Sequence, residues 1–249
     1  MKNFTIGFIL FILGLFGVIS MLTVTIPLDK LPKEVVDKIP AETLKWIILI
    51  NPAILLLLAI VIGTILFRKV NFKILFVSTF FDKEKTHLTL LNQLKFGVLG
   101  GIIVGIITSL LSFAILKLIP NEVAQLGEEI KLTAIARLLY GGITEEILMR
   151  FGFMTLVVWI VYKITKSLQS KTYWTGILVA SLGFALGHFP IVYNSIENPS
   201  LFILSYVLIG NSIAGIAFGW LYWKKGLEAA FFGHAMSHIA MMVFENYIF

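Results

Sequence analysis

The sequence predicts an all-α membrane protein. Its form is a polytopic bundle of about seven transmembrane helices (roughly six to eight), joined by short interfacial helices. Three observations predict it. Of 249 residues, 58% are hydrophobic and 14% are charged, where a soluble domain carries about a quarter charged residues. The apolar residues fall in runs close to the roughly 20 that a hydrocarbon core about 30 Å thick requires. Lys and Arg flank those runs, as topology signals do, instead of gathering into a patch for nucleic acid. The bilayer is therefore the implied partner, and nucleic acid is not. The chain has no cysteine, which excludes disulfides, thiol nucleophiles and Cys-based zinc or iron–sulfur sites.

Each element follows in order. Residues 4–26 carry no charge. The run is too long for a signal-peptide core and no small-residue cleavage site follows, so it reads as a retained span. Residues 27–45 hold Pro27, Pro32 and Pro40 with balanced charge, a loop with one short interfacial helix. Residues 46–67 form the second span, interrupted near its start by Asn51-Pro52. Residues 68–95 are basic and partly amphipathic, which places them on the membrane surface. Residues 96–119 form the third span, where Gly97, Gly100, Gly101 and Gly105 favour close helix packing. Residues 132–162 form the fourth span and contain "GGITEEILMR" at 141–150. The fifth, 173–192, ends in "FALGHFP"; the sixth, 201–223, is dotted with Gly210, Gly215 and Gly219; the seventh, 227–248, contains "HAMSH". No repeat or low-complexity tract divides the chain, so residues 1–249 read as one integral membrane domain.

The charge bias sets an orientation. A cytoplasmic N-terminus puts Lys2, the basic 68–95 segment, Lys163, Lys166, Lys171, Lys224 and Lys225 inside. The other side keeps Lys30, Lys33, Lys38, Lys45, Lys117 and Lys131.

Few ionisable residues lie deep in the spans: Arg137, Glu145, Glu146, Arg150, His188, His234 and His238, with Glu228 and Glu245 nearer helix ends. Such groups face a bundle interior or a wet cavity. Glu146 and Arg150 stand at i,i+4 and meet on one helix face, the spacing of a structural ion pair. Glu145 is turned away by about 100°. Gly141 and Met149 occupy its i±4 places, so no basic residue answers it there. It must be protonated, find another partner or line a wet cavity, and this marks it as a candidate general base or acid. His234 and His238 also share a face at i,i+4, and His188 precedes Pro190. A lone helical histidine is an ordinary core residue; three of them with a spare carboxylate make a candidate site. His87, beside Lys85 in the basic segment, reads as solvated. Glu228 opens the last helix, where the positive dipole end favours a carboxylate. Tyr140, Asn211 and Ser212 suit either a polar cavity or interhelical hydrogen bonds.

Two chemistries use three imidazoles and a carboxylate. In one, a zinc ion held by His188, His234, His238 and Glu145 activates water. In the other, without metal, a Glu/His pair polarises water and imidazoles stabilise the oxyanion. His234-x-x-x-His238 lacks the internal Glu of the zinc-protease helix, because residue 235 is Ala.

Glu145-Glu146-x-x-x-Arg150, then Phe184-x-x-x-His188, then His234-x-x-x-His238, in that order on successive apolar helices, resembles the CAAX protease and bacteriocin-processing family (CPBP, or Abi). That family includes the Rce1-like prenyl-protein endopeptidases. The similarity covers residues 132–249, a CPBP-like catalytic core; residues 1–131 carry no recognised motif. The resemblance implies an intramembrane endopeptidase in a multi-pass protein of the cell membrane, acting on a peptide or membrane-protein substrate. It implies that Glu145 activates water together with His188, that His234 and His238 face the oxyanion, that Glu146 and Arg150 support the site, and that no cofactor is required. His238 stands where the family often has Asn, so zinc stays open as an alternative. Two other readings belong to different classes: a non-catalytic self-immunity or peptide-binding membrane protein, and a metal or haem carrier.

Overall fold

The computed structural model describes residues 2–25, 37–75, 90–129 and 132–248. Among them every regular element is helical, and seven helical stretches are long and apolar enough to cross a membrane: Asn3–Thr23, Ala41–Val70, Leu90–Leu118, Ala134–Thr165, Ser170–Ser195, Leu201–Lys225 and Leu227–Glu245. All seven expected spans are present, with ends displaced by a few residues. Large apolar side chains such as Phe16, Leu57 and Leu178 are more than half exposed on the outside of the bundle. In a bilayer those faces meet lipid, and the protein is a multi-pass membrane protein.

The first helix, α1 (Lys2–Ser20), ends in the tight turn Met21–Thr23. The loop helix expected within 27–45 lies at its end, as α2 (Ala41–Ile47); residues 26–36 lie outside the described residues. The interruption expected at Asn51-Pro52 falls just ahead of it. Ile48 and Leu49 separate α2 from α3 (Ile50–Leu66), which leaves Pro52 in the first turn of α3, where its missing N–H has no intrahelical partner to lose. Of the basic 68–95 segment, residues 76–89, His87 included, lie outside the described residues. Next come α4 (Leu90–Leu118), α5 (Pro120–Glu129) and α6 (Ala134–Thr165). They are followed by α7 (Ser170–Leu186), α8 (Phe189–Ser195), α9 (Leu201–Lys225) and α10 (Leu227–Ile248).

Three joints hold the scaffold of the site. The first is the close approach of α4 and α10. A Cβ on Gly97 would lie 2.6 Å from the Ala229 carbonyl oxygen, and one on Gly105 would lie 2.7 Å from the Ser237 carbonyl oxygen. With Gly101 between them facing the Gly233 carbonyl, this i,i+4 glycine stripe lets two backbones touch, as expected for the third span. The second is polar: Glu228 Oε2 accepts from Gln93 Nε2 (2.8 Å) and from the Leu75 N–H (3.2 Å). Glu228 thus ties the start of α10 to α4 and to the chain after α3. The third is at the start of α6. Thr133 Oγ1 caps it through the Ala136 N–H (3.2 Å) and also meets Thr23 Oγ1 (2.6 Å).

The fourth span departs from the α-helical geometry expected of it. α6 is α-helical only over Ala134–Ala136 and Thr155–Thr165; Arg137–Glu145 and Ile147–Met154 are π-helical. The wider i→i+5 ladder appears at Thr155, whose N–H and hydroxyl both reach the Arg150 carbonyl. A pattern of apolar residues over a few turns does not distinguish the two ladders. At its glycines this helix comes close to its neighbours: Gly142 packs on Ala235 and Gly152 on Ala59.

Candidate active site

The site is built on α6, α7 and α10. Glu146 and Arg150 are its buried base, with side chains 0% and 2% exposed. Arg150 Nε lies 3.1 Å from Glu146 Oε2, a contact of charge more than an aligned hydrogen bond. The guanidinium sits 5.0 Å from the Phe184 ring and 5.7 Å from the Phe218 ring, and Nη2 donates to the Gly215 carbonyl at 3.4 Å. Two aromatic faces and one carboxylate thus stand in for its hydration.

Glu146 does more than balance Arg150. Its Oε1 accepts from His234 Nδ1 at 2.8 Å. This contact joins α6 to α10 across 88 residues of chain, a separation at which spacing carries no signal. It puts the His234 proton on Nδ1 and leaves a lone pair on Nε2. Nε2 in turn faces Glu145 Oε2 at 3.9 Å. Glu145, which has no basic neighbour on its own helix, therefore finds an imidazole on another. Its side chain is 21% exposed, in contrast to the sealed Glu146. The two adjacent glutamates differ as their spacing suggests, one walled in and one reachable.

His188 lies at the joint between α7 and α8. Its Nδ1 donates to the Phe184 carbonyl at 2.8 Å. A carbonyl can only accept, so Nε2 of His188 is the nitrogen that carries the lone pair. The Phe184 ring stands edge-on to both His188 (4.7 Å) and His234 (6.1 Å). Glu145 is thus seen in contact with His234, whereas the resemblance pairs it with His188.

His238 continues a stack of rings. Phe218 and His234 lie 4.8 Å apart at 25°, and His234 and His238 lie 4.9 Å apart at 21°. The stack fits against α6 because residue 141 is glycine: a Cβ there would lie 2.6 Å from His238 Nε2. Behind the stack a cavity of about 110 Å³ is bordered by His234, His238, Phe184 and the α9 side chains Tyr206 and Asn211. Tyr140 packs on the apolar core. Arg137, on the first turns of α6, is paired with Glu245 near the end of α10, Nη1 reaching both carboxylate oxygens at 2.9 Å. That pair, too, is invisible to local spacing.

Among the described residues, no group of three or more His, Asp or Glu side chains is arranged to hold a metal ion. What the arrangement offers is a reachable carboxylate, an imidazole lone pair on His234 3.9 Å from it, a second imidazole with its Nε2 lone pair on His188, and buried charges that fix the His234 ring.

Comparison with known proteins agrees with this inventory. Residues 127–240 match the family model described as type II CAAX prenyl endopeptidase Rce1-like. No curated protein and no solved structure matches the chain. The family so matched is one of CAAX-type membrane peptidases. Residues 127–240, the stretch that carries Glu145, Glu146, Arg150, His188, His234 and His238, are thus similar to the Rce1-like family of type II CAAX prenyl endopeptidases, as the order of those residues suggests.

Proposed function

We propose that the protein is an intramembrane endopeptidase that hydrolyses a peptide bond with water activated by Glu145 and His188. The observation that carries this reading is the reachable carboxylate of Glu145, 3.9 Å from an imidazole nitrogen that bears a lone pair. Glu145 and His188 Nε2 accept hydrogen bonds from the attacking water. As its oxygen bonds to the peptide carbonyl carbon, its proton passes to Glu145. Glu145 hands that proton to His234 Nε2. The resulting imidazolium lies between two carboxylates, Glu146 on Nδ1 and Glu145 beyond Nε2. It faces the oxyanion together with His238 and then protonates the amide nitrogen as the C–N bond breaks. The products are a carboxylic acid and an amine. Glu146 and Arg150 hold His234 and touch no substrate. The substrate is a peptide or a membrane protein that enters from the bilayer.

The test compares membrane peptidomes of cells carrying the wild type and Glu145→Ala. Peptides generated only by the wild type are expected, and they identify the substrate as well. Indistinguishable peptidomes, with both proteins inserted to the same level, would remove the catalytic role.

A further inference from the structure

Each of the three imidazoles needs a second contact to decide which nitrogen carries its proton. His188 has the Phe184 carbonyl and His234 has Glu146. His238 has none: its Nδ1 is buried and without a hydrogen-bond partner. Its other nitrogen, Nε2, faces Gly141 on the helix of Glu145.

The cavity behind the ring stack contains the missing group. Most polar side chains there are already engaged. Tyr206 bonds Ser112 (2.6 Å), Thr108 donates to the Val104 carbonyl (2.9 Å) and Ser237 donates to the His234 carbonyl (2.7 Å). Asn211 differs. The one hydrogen bond its side chain makes among the described residues runs from Nδ2 to the Val207 carbonyl at 2.8 Å, which leaves the second N–H and the amide oxygen open. A cavity of about 110 Å³ exceeds the roughly 30 Å³ a water occupies in the liquid. Its open valences belong to Asn211 and the histidines.

We propose that this cavity is a water-binding site and that Asn211 is a positioning residue for His238, acting through the bound water. The water accepts from or donates to the Asn211 amide and donates to His238 Nδ1. That keeps the lone pair of His238 on Nδ1 and its proton on Nε2, the nitrogen beside Gly141. The Nε2–H then points toward the helix of Glu145, where the proposed oxyanion forms; the catalytic consequence rests on the peptidase reading, and the tautomer does not.

Nitrogen-15 NMR of protein labelled at histidine, reconstituted in lipid nanodiscs, reads the tautomer without any turnover. The wild type is expected to show His238 protonated at Nε2, with the Nδ1 resonance displaced by a hydrogen bond. Asn211→Leu, close in volume, and Asn211→Ala, which adds no bulk, should both lose that displacement and mix the two tautomers. Asn211→Ser, whose hydroxyl can hold the same water, should restore it. A His238 protonated at Nδ1 in the wild type, or a spectrum unchanged in both apolar variants, overturns the proposal. Yield of the Glu145-dependent peptides should fall several-fold in Asn211→Leu and recover in Asn211→Ser. Absence of such peptides in the wild type would count against the peptidase reading and leave the tautomer result standing.

Discussion

Glu146 Oε1 lies 2.8 Å from His234 Nδ1, while Oε2 of the same carboxylate lies 3.1 Å from Arg150 Nε. One fully buried side chain therefore holds a charge on its own helix and a ring on another. The ion pair that lets α6 carry charge inside a membrane is also what orients an imidazole toward Glu145. Stability and chemistry meet in this residue, and substitutions can separate them.

Glu146→Ala leaves the Arg150 guanidinium buried without its carboxylate, a change that costs about 3–5 kcal/mol. Membrane abundance and melting temperature should both fall. The double variant Glu146→Leu/Arg150→Met removes both charges and should recover most of the abundance. It should not recover cleavage, because His234 has lost its anchor. Recovered cleavage would reduce Glu146 to a counter-ion.

Glu145 is partly exposed and bears no ion pair on its own helix, so its removal strands no buried charge. Glu145→Gln should insert and melt like the wild type while product formation drops by about 10²–10⁴-fold, the usual contribution of a general base. A peptide-binding protein without catalysis would keep its phenotype in Glu145→Gln, and an immunity assay measures that.

Gly141→Ala separates folding from function in another way. Alanine favours a helix over glycine by roughly 1 kcal/mol, so abundance should hold. Its Cβ would lie 2.6 Å from His238 Nε2, and the imidazole must swing away. Cleavage should fall at least about tenfold and be partly regained when His238→Asn shortens the opposing side chain. At Gly142 the atoms a Cβ would meet are Ala235 Cβ, Cα and backbone N at 3.0–3.3 Å, a helix that has no side chain to swing. Gly142→Ala should therefore lower the melting temperature as well.

Gln93 and Glu228 tie α4 to α10 through a hydrogen bond that includes no residue of the candidate site. Gln93→Leu removes one of the hydrogen bonds that the Glu228 carboxylate accepts and should destabilise by about 1–3 kcal/mol, and thermal melting measures it. Activity per folded molecule should be unchanged.

Metal dependence has a direct assay. If a Glu145/His188-activated water does the work, purified protein should retain activity in excess chelator and carry zinc well below one ion per chain. Loss of activity to the chelator with recovery on adding zinc would assign the water to a metal instead.

Much of this was readable in advance. Apolar run length located every span, because the bilayer imposes one length on all of them. The i,i+4 relation of Glu146 to Arg150 and the solitude of Glu145 also follow from local spacing. What spacing misses is whatever one helix does to another. The contacts of Glu146 with His234, of Arg137 with Glu245 and of Glu228 with Gln93 each join residues more than 80 positions apart. The π-helical course of α6 was hidden for a related reason: it is a property of backbone hydrogen bonds, and apolar periodicity reports side chains.

The oldest-looking part of the chain, in the sense of matching a known pattern, begins at residue 127, yet α1 touches the heart of it. Thr144 Oγ1, one residue before Glu145, donates to the Gly14 carbonyl at 2.8 Å, and a Cβ on Gly17 would collide with the same hydroxyl. Ile147, one residue past Glu146, is fully buried and faces Gly14 from the same side. The first helix is thus the back plate against which α6 is set. A fragment starting at residue 127 would bare that flank to lipid, and a chimera that grafts the matching segment onto another N-terminal half must supply a helix with small residues in the same two places. For this protein the portable unit is larger than the recognisable one.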